Sequence, residues 1–206
     1  MRLDRITHAR SSWIAIALLT LALFAGFKGR TVIAADTAQE TGAARREAIA
    51  AFKSIVPVLR HPRCINCHSS GDFPRQGDDH RPHAMNVRRG PEGKGVTAQK
   101  CSTCHQEQNT AGLNMPPGAH EWQLPPANMP MIWEGLTDRE LCELFKDPKQ
   151  NGHRTQLAQL VEHVRAPLVA WGWHPGDGRT AVPGTHDEFV ANVKHWAQAG
   201  GECPSE

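Results

Sequence analysis

The chain has 206 residues, among them 18 glycines, 15 prolines and no tyrosine, and its formal net charge is +2 at pH 7 with neutral histidines. Its first 35 residues hold five basic residues against one acidic residue, so removing this +4 leaves −2 on the rest. This balance excludes the basic surface of a nucleic-acid-binding protein. The remaining ~170 residues suit one loop-rich domain.

The N-terminus has the pattern of a secretory signal peptide. Three arginines lie within the first ten residues, an apolar run covers residues 13–27, and small residues end at Ala34 and Ala35. A spanning helix needs about 20 apolar residues, so this shorter run favours a signal. We therefore predict a signal peptide over residues 1–35 and export of the rest.

Lys28 and Arg30 stand between the apolar run and the cleavage site, which leaves an uncleaved membrane anchor as the alternative. In both cases residues 36–206 are expected to form a single domain outside the cytoplasm. The expected location is the periplasm, with membrane contact only if the N-terminal segment is kept.

Apolar residues recur at helical spacing from Glu40 to Arg60, which predicts the first helix. From Ser69 to Gly135 no periodic segment is found, and glycine and proline interrupt the chain throughout. A stretch this long without regular structure is uncommon unless a bound group organises it.

Three further helices are predicted, over Asp138–Lys146, Thr155–Val169 and His186–Ala199. Capping boxes begin the first and the last of them, at Thr137 and Thr185. No segment has the alternation of a strand. The expected class is mainly α and loop-rich, with about four to six helices.

Two Cys-x-x-Cys-His motifs carry the chemistry of the sequence. This motif is the attachment signature of c-type haem: both thiols bond to one macrocycle, and the histidine becomes the proximal ligand of the iron. Two covalently bound haems c are therefore predicted, held by Cys64, Cys67 and His68 and by Cys101, Cys104 and His105.

Three other interpretations of the cysteine pairs are weaker. A zinc site would have 33 residues between the pairs, against about 15–20 in a zinc ribbon. A redox dithiol lacks its βαβ setting. Structural disulfides within each pair fit an oxidising compartment. None of the three explains the histidine after each pair.

Cys142 and Cys203 remain outside the motifs. In an exported protein two remaining cysteines favour a disulfide. The alternative is a pair of buried thiols, because Cys142 lies near the apolar stripe of its predicted helix.

The distal ligands of the two irons are less well specified. The candidates are Met85, Met115, Met129, Met131, His83 and several other histidines. We predict that one distal ligand is His83 or Met85 and that the other is Met131 or Met115. Methionines in proline-rich loops resemble the distal loops of small cytochromes c. His163 is expected to be a helix-surface histidine with its hydrogen bonds satisfied. The indoles of Trp122, Trp133, Trp171 and Trp173 are expected to pack against haem or core.

Beyond the haem motifs, several longer stretches resemble one group of exported bacterial proteins. These stretches are RGPEGKGVTAQKCSTCH, NMPMIWEGLTDRELCELFKDPKQNG, LVAWGWHPGDGR and PGTHDEF. The group is that of dihaem c-type cytochromes labelled as isoquinoline 1-oxidoreductase subunits, and the similarity covers about residues 45–204. The resemblance implies electron acceptance from a molybdenum hydroxylase. This chain shows no ligand pattern for molybdenum or an iron–sulfur cluster, so it would be the acceptor.

The expected function is therefore electron transfer and not catalysis. The donor would be a periplasmic dehydrogenase and the acceptor a cytochrome or oxidase of the respiratory chain. The alternative is a peroxidase-like haem enzyme, or a sensor, with one haem left open for a further ligand.

Overall fold

Six α-helices supply most of the regular structure in residues 39–206, the part of the chain that this computed structural model describes. The predicted signal peptide lies outside the described residues. The helices are α1 (39–59), α2 (Pro62–Ile65), α3 (Asp138–Lys146), α4 (Leu157–Val164), α5 (Pro167–Ala170) and α6 (His186–Gln198). The mainly helical class is confirmed.

The core lies where α1, α3, α4 and α6 meet. Phe52 of α1 is fully buried, and its ring lies 5.4 Å from that of Trp196 in α6 and 6.4 Å from that of Phe145 in α3. Leu160 and Val161 of α4 are buried in the same cluster, since α4 packs against α6. The apolar stripes predicted for these helices therefore face one common core.

Both predicted capping boxes are confirmed. The Thr137 hydroxyl accepts a hydrogen bond from the Glu140 N–H, and the Glu140 carboxylate accepts the Thr137 N–H in return. Thr185 and Glu188 repeat this arrangement at the start of α6. Each box satisfies donors that the first turn of a helix leaves unpaired.

The helix predicted over Thr155–Val169 is shorter than expected. It is divided into α4, which ends at Val164, and α5, which begins at Pro167. Proline has no N–H to donate and forces the preceding residue out of the helical region, and Ala166 is accordingly extended (φ −59°, ψ 145°). The break turns the chain at the edge of the core.

Four two-residue strands lie between the helices, where no strand was predicted. Strand β1 (Arg75–Gln76) pairs antiparallel with β2 (Arg81–Pro82), and β3 (Gly95–Val96) pairs antiparallel with β4 (Gln99–Lys100). Strands of two residues are too short to show alternation. Gly95 has φ +83°, and a Cβ there would lie 2.3 Å from the Gln99 carbonyl oxygen, so this tight hairpin requires glycine.

Residues 45–206 form one compact unit, and a disulfide joins Cys142 of α3 to Cys203 near the C-terminus. The predicted bridge is confirmed. Within the described residues, no helix has the length and apolar character needed to cross a membrane.

Candidate functional site

The first Cys-x-x-Cys-His motif begins on α2, which holds Cys64, and ends in the turn that follows this helix. Pro62 begins this helix, and the His61 imidazole accepts a hydrogen bond from the Arg63 N–H at its start. The helical turn brings the Cys67 N–H to 3.1 Å and the His68 N–H to 3.2 Å from the Cys64 carbonyl oxygen. Two thiols and an imidazole are thereby gathered on one turn.

The second motif has the same turn on a different support. The β3–β4 hairpin leads directly into a 3₁₀ turn, Cys101–Thr103. There the N–H groups of Cys104 and His105 lie 3.2 and 3.0 Å from the Cys101 carbonyl oxygen. The local backbone of the two motifs is therefore alike, although one begins in a helix and the other follows a hairpin.

The His68 imidazole is fixed from two sides. Its ring stacks on Trp133 with 3.5 Å between centroids and 2° between planes, and its Nδ1 lies 2.9 Å from the Met131 carbonyl oxygen. Burial lowers the pKa of His68 to about 3, so the ring is neutral at physiological pH. A neutral ring that donates from Nδ1 keeps the Nε2 lone pair for a metal.

The His105 imidazole repeats this arrangement. Its ring stacks on Trp122, with 4.6 Å between centroids and 6° between planes, and Nδ1 lies 2.7 Å from the Pro117 carbonyl oxygen. Burial lowers the pKa of His105 as well. Both motif histidines are thus neutral, oriented by a tryptophan and tied to a backbone carbonyl through Nδ1, which is how metal-binding histidines are commonly held.

Each motif faces its own large cavity. Cavity A, of about 990 Å³, is lined by Cys64, Cys67 and His68. Cavity B, of about 1010 Å³, is lined by Cys101, Cys104 and His105. Both volumes lie near the upper end of ligand and cofactor sites in proteins. The cavities share a wall formed by Arg63, Cys67, Trp122, Gln123, Leu124 and Trp171.

Of the predicted distal ligands, His83 is the one that the structure brings to a motif histidine. Its ring centroid lies 6.0 Å from that of His105, and both line cavity B. Two imidazoles that bind one metal from opposite sides, with metal–nitrogen distances of about 2.0 Å, have centroids about 6 Å apart. The Nδ1 of His83 lies 2.8 Å from the Ala84 carbonyl oxygen, so Nε2 is again the free nitrogen.

The three methionine candidates have other positions. Met85 and Met115 are 76% and 42% exposed. Met131 lines cavity A, but its carbonyl contacts the Nδ1 side of His68, which is the side of the ring opposite to Nε2. The Met131 backbone therefore lies on the Nδ1 side of the His68 ring, whereas a distal ligand would be expected on the Nε2 side.

His163 differs from its expected role as a satisfied surface histidine. It is half-buried on α4 and lines cavity A, and its imidazole makes no hydrogen bond within the described part of the chain. The sequence placed it at the edge of an apolar stripe, but the periodicity could not show that this stripe borders a cavity.

Unpaired buried donors line both cavities. Arg63 and Arg75, which line cavity B, each have an Nε without a hydrogen-bond partner in the described protein, as has the Nε1 of Trp133, which lines cavity A. Trp173 Nε1, also unpaired, belongs to neither lining. Buried donors usually have partners. Haem carries two propionates that accept such bonds, and its ring offers the apolar surface that the cavity walls need. The residues present therefore fit a haem.

The motif cysteines are thiols, unlike the bridged Cys142 and Cys203. Burial raises the pKa of Cys64 to about 12 and that of Cys67 to about 11. Redox dithiols depend on lowered thiol pKa values, so raised values at the first motif do not favour thiol–disulfide exchange. Among the described residues, no three His, Cys, Asp or Glu side chains converge as a metal-binding group.

Comparison with known proteins identifies no relative of this chain: no family model, no curated protein and no solved structure matches it. What defines the site is its own geometry, a mainly helical domain with two adjoining cavities, each bordered by two thiols and an oriented neutral imidazole.

Proposed function

We propose that this protein is an exported dihaem c-type cytochrome that carries electrons between a periplasmic dehydrogenase and the respiratory chain. The observation that carries the proposal is the twofold repetition of one arrangement. In both sites, two thiols and a histidine share a turn, a carbonyl fixes Nδ1, and a tryptophan stacks on the ring. Structural cysteines have no need of such an imidazole.

Each residue then has a defined task. Cys64 and Cys67 would anchor one haem by thioether bonds, and His68 would hold its iron from the proximal side. Cys101, Cys104 and His105 would have the same roles for the second haem. Bound haem supplies a reversible one-electron couple, and the protein sets its potential through ligands, burial and hydrogen bonds.

His83 would be the distal ligand of the second haem. The 6.0 Å between the His83 and His105 ring centroids agrees with an iron between them. Six-coordinate iron with two protein ligands suits electron transfer, because neither oxidation state needs a new ligand. A peroxidase-like site would need one position left open.

The shared wall of the cavities supports transfer between the two sites. Trp122 stacks on His105 and also borders cavity A, and Cys67 borders both cavities. Two haems held against one wall would lie close together. Electrons would enter at one site and leave at the other, with the periplasmic location following from the predicted signal peptide.

The partners follow from the resemblance noted above. The donor would be a molybdenum hydroxylase or another periplasmic dehydrogenase, and the acceptor a cytochrome or oxidase. Co-purification with a candidate donor and reduction of the protein by that donor's substrate would test this pairing.

The haem content tests the proposal itself. Protein expressed in a periplasm with haem-ligating machinery should contain two covalent haems per chain by the pyridine haemochrome assay, and both should be low-spin. A chain without covalent haem would refute the proposal. A haem that is high-spin in the native protein and reacts with peroxide would favour the enzyme instead.

The His83 assignment has a matched pair of variants. His83→Ala should convert one of the two haems to the high-spin form, whereas Met85→Leu, two residues further along the same loop, should leave both low-spin. The ferric optical and electron paramagnetic resonance spectra separate these results. The reverse pattern would assign the distal position to Met85.

A further inference from the structure

We infer that His163 is the sixth ligand of the iron held by His68, so that the first haem, like the second, has two histidine ligands. This inference rests on the proposed function, because it concerns the haem bound through Cys64 and Cys67. It adds a ligand from a helix that no sequence pattern connects with either motif.

The position of His163 on α4 carries the first part of the argument. Leu160, His163 and Val164 are spaced i, i+3 and i+4, so they share one face of the helix. All three line cavity A. His163 is therefore the polar member of an otherwise apolar helix face that borders the cavity, and His68 borders the same cavity from the motif.

The surroundings of His163 carry the second part. The imidazole is half-buried and borders cavity A, and it makes no hydrogen bond among the described residues. Its nitrogens are therefore not engaged by a protein partner that a metal would have to displace. An iron in cavity A would give one of these nitrogens a partner.

The charge state of His163 agrees with this role. Burial, with a contribution from Arg154, lowers the pKa of His163 to about 4, so the imidazole is neutral at physiological pH. His163 also lies near enough to His68 that its protonation in acid would lower the pKa of the His68 ring. Neutral imidazole is the form that binds iron.

Other residues that could reach the iron from cavity A are less suitable. His153 is exposed, and Met131 meets His68 through its carbonyl on the Nδ1 side. Met129 is buried and lines the cavity, but a thioether needs no polar partner and is stable in an apolar wall. Met129 is therefore the competitor that an experiment must exclude.

Substitution of His163 with spectroscopic readout tests the inference. His163→Ala should turn one of the two haems high-spin, let the ferrous protein bind about one carbon monoxide per chain, and regain the low-spin spectrum when free imidazole is added. His163→Met should keep both haems low-spin but introduce the red ferric absorption band of methionine ligation, which covers the case in which the alanine variant folds poorly.

Met129→Leu and His153→Ala are the matched controls, since both residues line cavity A. Both variants should keep two low-spin haems and show no carbon monoxide binding. A high-spin haem in Met129→Leu, or a methionine band in the wild-type protein, would overturn the inference and assign the position to methionine.

The haem content separates this inference from the proposed function. Two covalent haems per chain, with His163→Ala still fully low-spin, would overturn the His163 assignment and leave the dihaem cytochrome intact. A wild-type chain without covalent haem would overturn the proposed function, and the ligand assignment with it.

Discussion

The two Cys-x-x-Cys-His sites have the same backbone turn but lie in different surroundings. The first is built on α2 directly beneath the helical core, and His68 stacks on Trp133, which is buried and packs edge-on against Phe145. The second follows a small hairpin in the loop-rich part of the chain, where Cys104 is exposed. In both sites the motif determines the backbone turn, and the surrounding elements determine how deeply the motif residues are buried.

The difference in burial suggests that the two sites have different roles. Cavity A is walled by core residues of α1, α4 and α6, so the first haem would replace part of the protein interior. Cavity B is bordered by loops with the exposed Met85 at its edge. Because Cys104 is also exposed, we expect a redox partner to approach at the second motif, whereas the haem proposed for the first site would be a structural element as well as an electron carrier.

Removing the thiols of each site should give the largest effect and the clearest test of this contrast. Cys64→Ala/Cys67→Ala and Cys101→Ala/Cys104→Ala should each halve the covalent haem in the haemochrome assay. The first double variant should also lower the thermal midpoint further, because an empty cavity A lies within the core. Equal losses of stability would show that the first haem has no special structural role.

Trp133 and Trp122 each stack on a motif histidine, so their substitution compares the two sites through the same type of contact. Trp133→Ala should destabilise the protein by about 3–5 kcal/mol, as expected for a buried indole. Trp122→Ala should destabilise the protein less, by about 1–2 kcal/mol, because Trp122 is only half-buried. Denaturant unfolding of the haem-loaded variants measures both values. A larger loss for Trp122 would reverse the assignment of the first site as the structural one.

The sequence predicted the local features of both sites better than their surroundings. The motifs, the capping boxes of Thr137 and Thr185 and the helix stripes depend on residues within a few positions of one another, so their spacing is visible in the chain. The Trp133 and Trp122 stacks join residues far apart in sequence. No periodicity indicates which indole meets which imidazole.

His163 is a second case in which the sequence predicts the local structure of a residue but not its surroundings. Its helix and its place near the apolar stripe could be predicted, but whether that stripe faces packed side chains or a cavity depends on α1 and α6. The break before Pro167 could have been predicted from the proline alone, since the residue before proline avoids the helical region.

The disulfide should affect the first site more than the second. Cys142 and Cys203 are 61 residues apart, and a loop of this length corresponds to about 4 kcal/mol in the chain-entropy treatment. Cys142→Ser/Cys203→Ser should therefore lose about 2–4 kcal/mol of unfolding free energy while it keeps two haems. Loss of the second haem alone would contradict the coupling of this bridge to the core beneath the first site.

The smallest expected effect concerns acid stability next to the first motif. Hydrogen bonds from the Ser70 hydroxyl and N–H, with His80 and Arg75 nearby, lower the pKa of Glu134 from 4.5 to about 2. Because the folded pKa lies below the ordinary value, the stabilisation is complete above about pH 4.5. It is lost as the pH falls towards 2.

Glu134→Gln should therefore flatten the fall in stability between about pH 4.5 and 2, measured by unfolding at a series of pH values. Glu107→Gln is the matched control beside the second motif, because Glu107 pairs with His120 on an exposed surface and such pairs contribute little. An unchanged acid profile in Glu134→Gln would contradict a stabilising role of this carboxylate. The segment after His68 would then be held mainly by the hydrogen bond from the Trp133 backbone N–H to the His68 carbonyl oxygen, which is 2.8 Å long.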